Sequence, residues 1–264
     1  MKSLAPMIVL AVSAGFVQAA PIAATLNTNM TRYRVNVPTN AELPLVNNPF
    51  MSDSLAQSPA GTLYSANSSG VILNVTTGPI PVGPTLRSQI ADLVYGNGGL
   101  WGYSNLSKEL FFFDLGTSSV TYAQTLIGTS TYTITGVAYQ ASTGDVYLSG
   151  NTGPNTADML LHVANSTSTA VSVGAMTNGD AFSYFSDIEF DATGTLYAMS
   201  WFHRYFYTVS TTSAATSLVS TGPHRDVTAM AFAVPELSSA IGLAWGSLIL
   251  IRYRRGLIAT KRPG

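Results

Sequence analysis

The chain has 264 residues and a mass of 27.8 kDa, and it contains no cysteine, 9% charged residues and 46% hydrophobic residues. It therefore forms no disulfide and no thiolate zinc site, and its formal net charge of −1 argues against a basic nucleic-acid-binding protein. Globular proteins average about 25% charged residues, so we expect a neutral, hydroxyl-rich surface, as in exported, strand-rich proteins.

Residues 1–20 have the pattern of a secretory signal peptide. Lys2 supplies a positive start, residues 4–17 form an almost uninterrupted apolar run, and the small residues Ala19 and Ala20 follow. The apolar run is short for a membrane span, so a cleaved signal is favoured over an uncleaved anchor. Cleavage is expected after one of the two alanines.

The region from 21 to 233 contains a repeat of roughly 40–50 residues, the spacing of propeller blades. A short segment recurs five times, at Ser54–Gln57, Asp92–Tyr95, Gly136–Tyr139, Asp187–Phe190 and Ala229–Phe232. A glycine follows the first four, at Gly61, Gly99, Gly144 and Gly194, and is predicted to form the turn into a second strand. An apolar–polar–apolar segment also recurs, at Val35–Val37, Leu73–Val75, Phe113–Leu115, Leu161–Val163 and Tyr207–Val209.

Four strands in each repeat of this length predict an all-β propeller with five four-stranded blades. Residues 229–232 have no partner strands after them, whereas the segments 24–26, 32–37 and 41–46 lack a first strand. We therefore expect the two ends of the core to complete one blade together. Another blade count and an irregular β-sandwich are the alternatives. In either case residues 21–233 form one domain.

Three carboxylates are the first candidate site. Asp187 and Glu189 alternate along one predicted strand and so project to one face, and Asp92 aligns with Asp187 in the repeat. First strands line the central channel of a propeller, so these groups form a candidate site for a ligand or a cation such as Ca²⁺. The alternative is that they are a solvated lining or stabilise turns. No other cofactor is predicted.

Aromatic side chains are the second candidate. Trp101, Trp201 and His203 lie in or after second strands and are candidate residues of a ligand-binding face, although aromatic residues in β proteins more often pack in the core. The core has no nucleophile elbow, phosphate-binding loop or dinucleotide fingerprint, so no catalytic residue is predicted.

The last segment, residues 234–264, has three parts in a fixed order. These are Val234, Pro235 and Glu236, then a mostly apolar uncharged run from 237 to 251, then the basic residues Arg252, Arg254 and Arg255. A basic cluster after an apolar run stays on the cytoplasmic side of a membrane. Lys2 does the same at the other end of the chain, so both ends predict that the core is exported.

This order resembles the PEP-CTERM sorting signal of Gram-negative bacteria, with Leu237 where the family pattern has a second proline. The resemblance implies recognition and cleavage by an exosortase in the inner membrane. It also implies a host that makes exopolysaccharide, with the protein ending at the cell surface or in the extracellular matrix. A plain C-terminal membrane anchor is the alternative.

Without the two ends, the core keeps 6 basic and 12 acidic residues, which gives no attraction to nucleic acid or anionic lipid. We therefore expect a non-catalytic, exported adhesion or interaction scaffold that associates with exopolysaccharide. An extracellular polysaccharide hydrolase or lyase is the second reading, and a periplasmic or membrane-tethered interaction module is the third.

Overall fold

The computed structural model describes residues 22–27, 31–37, 41–47, 54–67, 69–76, 79–83, 89–153, 156–165, 167–177, 184–201, 205–221 and 227–232. These ranges contain twenty β-strands, and no helix in them is long and apolar enough to cross a membrane. The predicted signal helix and the predicted C-terminal membrane helix lie outside the described residues.

Three strands open the chain: β1 (Ile22–Asn27), β2 (Thr31–Asn36) and β3 (Ala41–Asn47). Four antiparallel blades of four consecutive strands follow. Blade 1 contains β4 (Ala56–Gln57), β5 (Leu63–Ala66), β6 (Ile72–Asn74) and β7 (Ile80–Pro81). Blade 2 contains β8 (Ile90–Gly96), β9 (Gly99–Ser104), β10 (Glu109–Asp114) and β11 (Ser119–Thr125). Blade 3 contains β12 (Thr133–Gln140), β13 (Asp145–Asn151), β14 (Met159–Val163) and β15 (Ala170–Ala175). Blade 4 contains β16 (Phe185–Phe190), β17 (Leu196–Ser200), β18 (Tyr205–Val209) and β19 (Thr216–Thr221).

The last strand, β20 (Val227–Phe232), returns to the start of the chain. It pairs antiparallel with β1, and the resulting closing sheet has the order β20-β1-β2-β3. Ala23 lies opposite Phe232, and Leu26 lies opposite Ala229. The predicted pairing between the two ends of the core is therefore present.

The first strand of each sheet lies against the first strands of its neighbours. β4 contacts β8, β8 contacts β12, β12 contacts β16, β16 contacts β20, and β20 contacts β4. The sheets therefore surround a common axis, and the all-β propeller predicted from the repeat is confirmed.

Buried apolar clusters hold adjacent sheets together. Among the described residues each cluster lies between two neighbouring sheets, with Phe111 packed near Ala56, Tyr103 near Val137, Ile188 near Ala138, Met230 near Phe206, and Ala229 near Leu55. Burying apolar surface contributes roughly 25 cal/mol per Å². Both faces of a blade are therefore buried against neighbouring sheets. This explains why inner strands such as β16 are buried along their whole length.

One predicted turn differs in detail. β8 and β9 are joined by Asn97 and Gly98, both with positive φ (53° and 79°), as a two-residue type I′ hairpin requires. Gly99, predicted as the turn glycine, is instead the first residue of β9. A Cβ at Gly99 would lie 2.5 Å from the Phe113 carbonyl oxygen, so glycine is needed there for close packing.

A candidate ligand cleft above buried axial carboxyls

A β-bulge recurs near the beginning of four first strands. The register shifts by one residue in β8, β12, β16 and β20, and each shift leaves one residue without a partner in the ladder. The residues skipped are Ala91, Thr135, Ser186 and Thr228. A bulge bends its strand and redirects a side chain, so these four positions are set apart from the regular blade faces.

The four bulge residues line a single cleft of about 590 Å³ where the first strands begin. The remaining lining residues are Gln89, Ile90, Asn105, Lys108, Thr133, Ile134, Tyr184 and Trp201. The volume lies within the range of about 300–1,000 Å³ that is typical of small-molecule sites. We refer to this feature as the axial cleft.

The loop between β9 and β10 forms one wall of the axial cleft by reaching from blade 2 to blade 3. The Asn105 side-chain amide donates to the Ile134 carbonyl oxygen at 2.8 Å, and the Ile134 N–H donates to Asn105 Oδ1 at 2.9 Å. Lys108 Nζ donates to the Tyr132 carbonyl oxygen at 2.8 Å. The wall is therefore held by hydrogen bonds between the blades.

A similar link joins blades 3 and 4. Asp158 is fully buried, and its carboxylate accepts hydrogen bonds from the Phe185 N–H and from Asn151 Nδ2, the latter at 3.0 Å. Burial raises the pKa of Asp158 to about 6, while the bonds from Phe185 and Asn151 oppose the shift. Phe185 in β16 corresponds to Ile134 in β12, because each lies two residues before the first residue of its repeat.

Trp201 and Tyr184 form the aromatic wall of the axial cleft. The backbone N–H of Trp201 donates to the Tyr184 carbonyl oxygen at 3.0 Å. The two rings meet edge to face with centroids 6.4 Å apart. Both side chains are partly exposed. The structure therefore places the predicted residue Trp201 where a ligand can reach it, whereas His203 lies outside the described residues.

Trp101 occupies a different place. It lies within β9 opposite Val94, the position held by tyrosines in the other three blades. Its ring stacks on Tyr139 at 6.0 Å and 14° and lies 5.0 Å from Phe112. It lines a separate cleft of about 300 Å³ between blades 2 and 3. Trp101 and Trp201 therefore line two different clefts, because the positions they hold in the repeat are four residues apart.

The predicted channel carboxyls lie deeper along the axis. Asp92 Oδ2 accepts the Val137 N–H at 2.8 Å, and Asp187 Oδ2 accepts the Met230 N–H at 2.6 Å. Each bond runs from one first strand to the next, so it satisfies an edge N–H that would otherwise be buried without an acceptor. Asp92 and Asp187 are 1% exposed and Glu189 is 2% exposed.

Burial raises the pKa of all three carboxyls above the ordinary value. Burial raises the pKa of Asp92 to about 7, against opposing contributions from the Asp187 side chain and the Val137 N–H. Burial and then the charge of Asp92 raise the pKa of Asp187 and of Glu189 well above the ordinary range. Among the described residues, no backbone N–H, hydroxyl or amide donates to one buried oxygen of each group. The arrangement favours protonated carboxyls.

The three carboxyls are a candidate site for a ligand or a cation such as Ca²⁺, and the arrangement of their side chains bears on the cation. Among the described residues no group of three or more His, Cys, Asp or Glu side chains is placed to hold a metal ion. Asp191, next in the alternating series, stabilises a turn by accepting the N–H groups of Thr193 and Thr195, both at 2.9 Å. The axial cleft is lined by Ala91 and Ser186 rather than by the aspartates that follow them.

Sequence reasoning missed most of the axial cleft. The bulge residues carry no common side chain, and Lys108, Asn105 and Tyr184 lie in connecting segments. The available signal was positional, because each bulge residue immediately precedes the first residue of its repeat.

Comparisons with known proteins bear on the fold. No protein-family model matches the chain, and no curated protein matches it. A chain in the crystal structure of a nidogen/laminin complex is similar with a TM-score of 0.51 and 10% identity, covering 81% of this chain and 86% of that one. The Cps50 (Swd1) β-propeller domain of Myceliophteria thermophila aligns with a TM-score of 0.45 and 14% identity, covering 75% of this chain and 67% of that one. At such identities the likeness to solved structures shows the β-propeller fold alone.

Proposed function

We propose that this protein is an exported, non-catalytic scaffold that binds extracellular polysaccharide in its axial cleft. The observation that carries the proposal is the lining of the cleft. An aromatic wall of Trp201 and Tyr184 stands beside hydroxyl groups from the bulges and the amides of Gln89 and Asn105. Sugars present apolar C–H faces that pack on aromatic rings and hydroxyls that pair with such polar groups.

The position of the carboxyls supports binding over hydrolysis. A general acid or base must come within hydrogen-bond reach of the substrate. Asp92, Asp187 and Glu189 are almost completely buried, and no described carboxylate lines the axial cleft. The competing reading, a polysaccharide hydrolase or lyase, requires turnover of the host polymer that the Asp187→Asn and Glu189→Gln variants lose.

The closing sheet is, in this proposal, a complete fifth blade. Two features support it: β20 pairs with β1 in the same antiparallel manner as within the other blades, and β20 contacts the first strands on both sides. Its skipped residue, Thr228, also lines the axial cleft with those of blades 2 to 4. In a closed ring every blade has a neighbour on both sides, which suppresses edge-to-edge association between molecules.

The C-terminal segment is proposed to be a PEP-CTERM-like sorting signal. Val234, Pro235 and Glu236 begin two positions after the end of β20, and the apolar run and the arginine cluster follow. An exosortase would cut near this motif and release the propeller from the inner membrane to the cell surface or matrix. The support is the order of these parts in the sequence.

Two measurements test the proposal. Intact mass spectrometry of membrane and extracellular fractions from the host should find a released species that starts near residue 21 and ends near residues 234–237. A species retained in the membrane up to Gly264 would instead identify a plain anchor. Calorimetric titration of the purified protein with the host's extracellular polysaccharide should show saturable binding without release of reducing ends. Absence of binding would refute the scaffold role.

A further inference from the structure

We propose that the axial cleft takes a polysaccharide unit that carries a carboxylate, as in a uronic acid, and that Lys108 binds this carboxylate. The inference rests on the proposed function, since it specifies the class of sugar. Lys108 is the only charged side chain among the described residues that line the cleft. A ligand anion therefore has one obvious partner there.

The ammonium group of Lys108 is held in place by a hydrogen bond and still has donors that can bind a ligand. Within the described residues it donates one hydrogen bond, to the Tyr132 carbonyl oxygen at 2.8 Å. A lysine ammonium has three donors, so donors remain for a ligand. In the described part of the chain Lys108 forms no ion pair, because the salt bridge found there joins His162 and Asp145.

The backbone also holds Lys108 at the edge of the cleft. Lys108 has a φ of 55°, a left-handed conformation that favours glycine. Gln89, another lining residue, has a φ of 54°, and its carbonyl oxygen accepts the Asn105 N–H at 2.9 Å. A left-handed residue with a side chain is strained and persists only where surrounding bonds enforce its conformation. The hydrogen bonds of Asn105 and Lys108 provide that enforcement here.

The acidic residues of the inner strands do little to offset the positive charge of Lys108. Asp92 and Asp187 follow the lining residues Ala91 and Ser186 on the inner strands, but neither of them lines the cleft. Their protonated forms are favoured by burial. Glu109, next to Lys108 in the chain, does not line the cleft. The cleft therefore keeps a local positive charge although the core as a whole is acidic.

The experiment compares two forms of one polymer. The host's extracellular polysaccharide is used as isolated and after carbodiimide activation and borohydride reduction, which converts carboxylates to alcohols. Both forms are titrated into the full-length protein and into the Lys108→Gln and Lys108→Arg variants. Glutamine can still donate to the Tyr132 carbonyl oxygen, and arginine keeps the charge, so the pair separates charge from wall structure. Thermal unfolding of each variant checks that it is folded.

We expect carboxyl reduction and Lys108→Gln each to weaken binding about tenfold, the effect of one charge-assisted hydrogen bond. The two changes together should weaken it no further, and Lys108→Arg should bind nearly as the wild type does. Equal affinity of the wild type for native and reduced polymer would overturn the inference and leave the scaffold role intact. So would wild-type affinity of Lys108→Gln. Failure of the wild type to bind either polymer would instead refute the proposed function itself.

Discussion

The Asp92 carboxylate accepts the Val137 N–H across the boundary between blades 2 and 3, with 2.8 Å between Oδ2 and the nitrogen. Asp187 and Met230 repeat the relationship between blade 4 and the closing sheet, at 2.6 Å. In both cases the first residue of one repeat binds the second residue of the next. Asp92 and Asp187 are therefore, first of all, links between adjacent inner strands.

This hydrogen bond predicts that two substitutions of Asp92 differ in their effect on the free energy of unfolding. Asp92→Asn keeps an acceptor for the Val137 N–H and should change the free energy of unfolding by less than about 1 kcal/mol at pH 5. Asp92→Ala leaves that N–H buried without an acceptor and should cost about 1–3 kcal/mol. Urea denaturation measures both. Equal losses in the two variants would show that the hydrogen bond is not what Asp92 contributes.

The buried carboxyls predict that the protein becomes less stable as the pH rises. The pKa of Asp92 is about 7 in the folded protein against an ordinary 3.8, and that of Asp158 is about 6. The folded state therefore binds more protons than the unfolded state between pH 4 and pH 7. The stabilisation is fully present below pH 4 and is lost as the pH rises through 6 and 7.

Urea denaturation between pH 5 and pH 8 tests this dependence, which amounts to at most about 1.4 kcal/mol per pH unit for each group. Asp92→Asn is the matched control, and its stability should fall less steeply with pH. A stability that rises over this range would contradict the assignment of protonated carboxyls to the axis.

Gly136 predicts a steric limit at the axis. A Cβ at this position would lie 2.6 Å from the Ile188 nitrogen and 2.7 Å from Ser149 Oγ, where no flexible side chain can move aside at little cost. Gly136→Ala should therefore destabilise the protein by about 1–3 kcal/mol. Gly153→Ala is the control, because nothing lies within 4 Å of its Cβ. Similar melting temperatures for the two variants would contradict the packing described for blades 3 and 4.

The two tryptophans predict a separation of binding from stability. Trp201→Ala should weaken polysaccharide binding about tenfold with little change in melting temperature, since Trp201 is partly exposed in the axial cleft. Trp101→Ala should cost about 1–3 kcal/mol of stability because its ring stacks on Tyr139 and lies against Phe112, and it should leave affinity unchanged. Calorimetric titration and thermal unfolding of both variants measure the contrast. Loss of affinity in Trp101→Ala alone would place the sugar in the other cleft.

The repeat in the sequence was sufficient to predict the sheets, because strand spacing and apolar alternation follow directly from the geometry of a blade. It also predicted that the last strand pairs with the first ones, since each end lacked what the other supplied. The bulges were not predictable in this way. A bulge at Thr135 or Ser186 depends on how neighbouring inner strands meet, and no local residue pattern marks it.

The candidate site was predicted only in part for the same reason. Trp201 was identified as an aromatic residue after a second strand, but the same rule also selected Trp101, which has a packing role. The carboxylates were recognised as residues of first strands, but their burial and the bonds of Asp92 and Asp187 to Val137 and Met230 depend on the neighbouring blades. Lys108 had no motif around it, because its position beside the cleft results from a turn in blade 2.

The direction of β20 has a consequence for how the ring is presented. The strand begins at the cleft, where Thr228 is part of the lining, and runs to Phe232, which lies opposite Ala23 of β1. Both ends of the propeller therefore emerge on the side away from the cleft. Any tether or surface attachment made through either end would therefore lie on the side opposite the cleft. The mouth of the cleft would then face away from the attachment and be open to a long polymer.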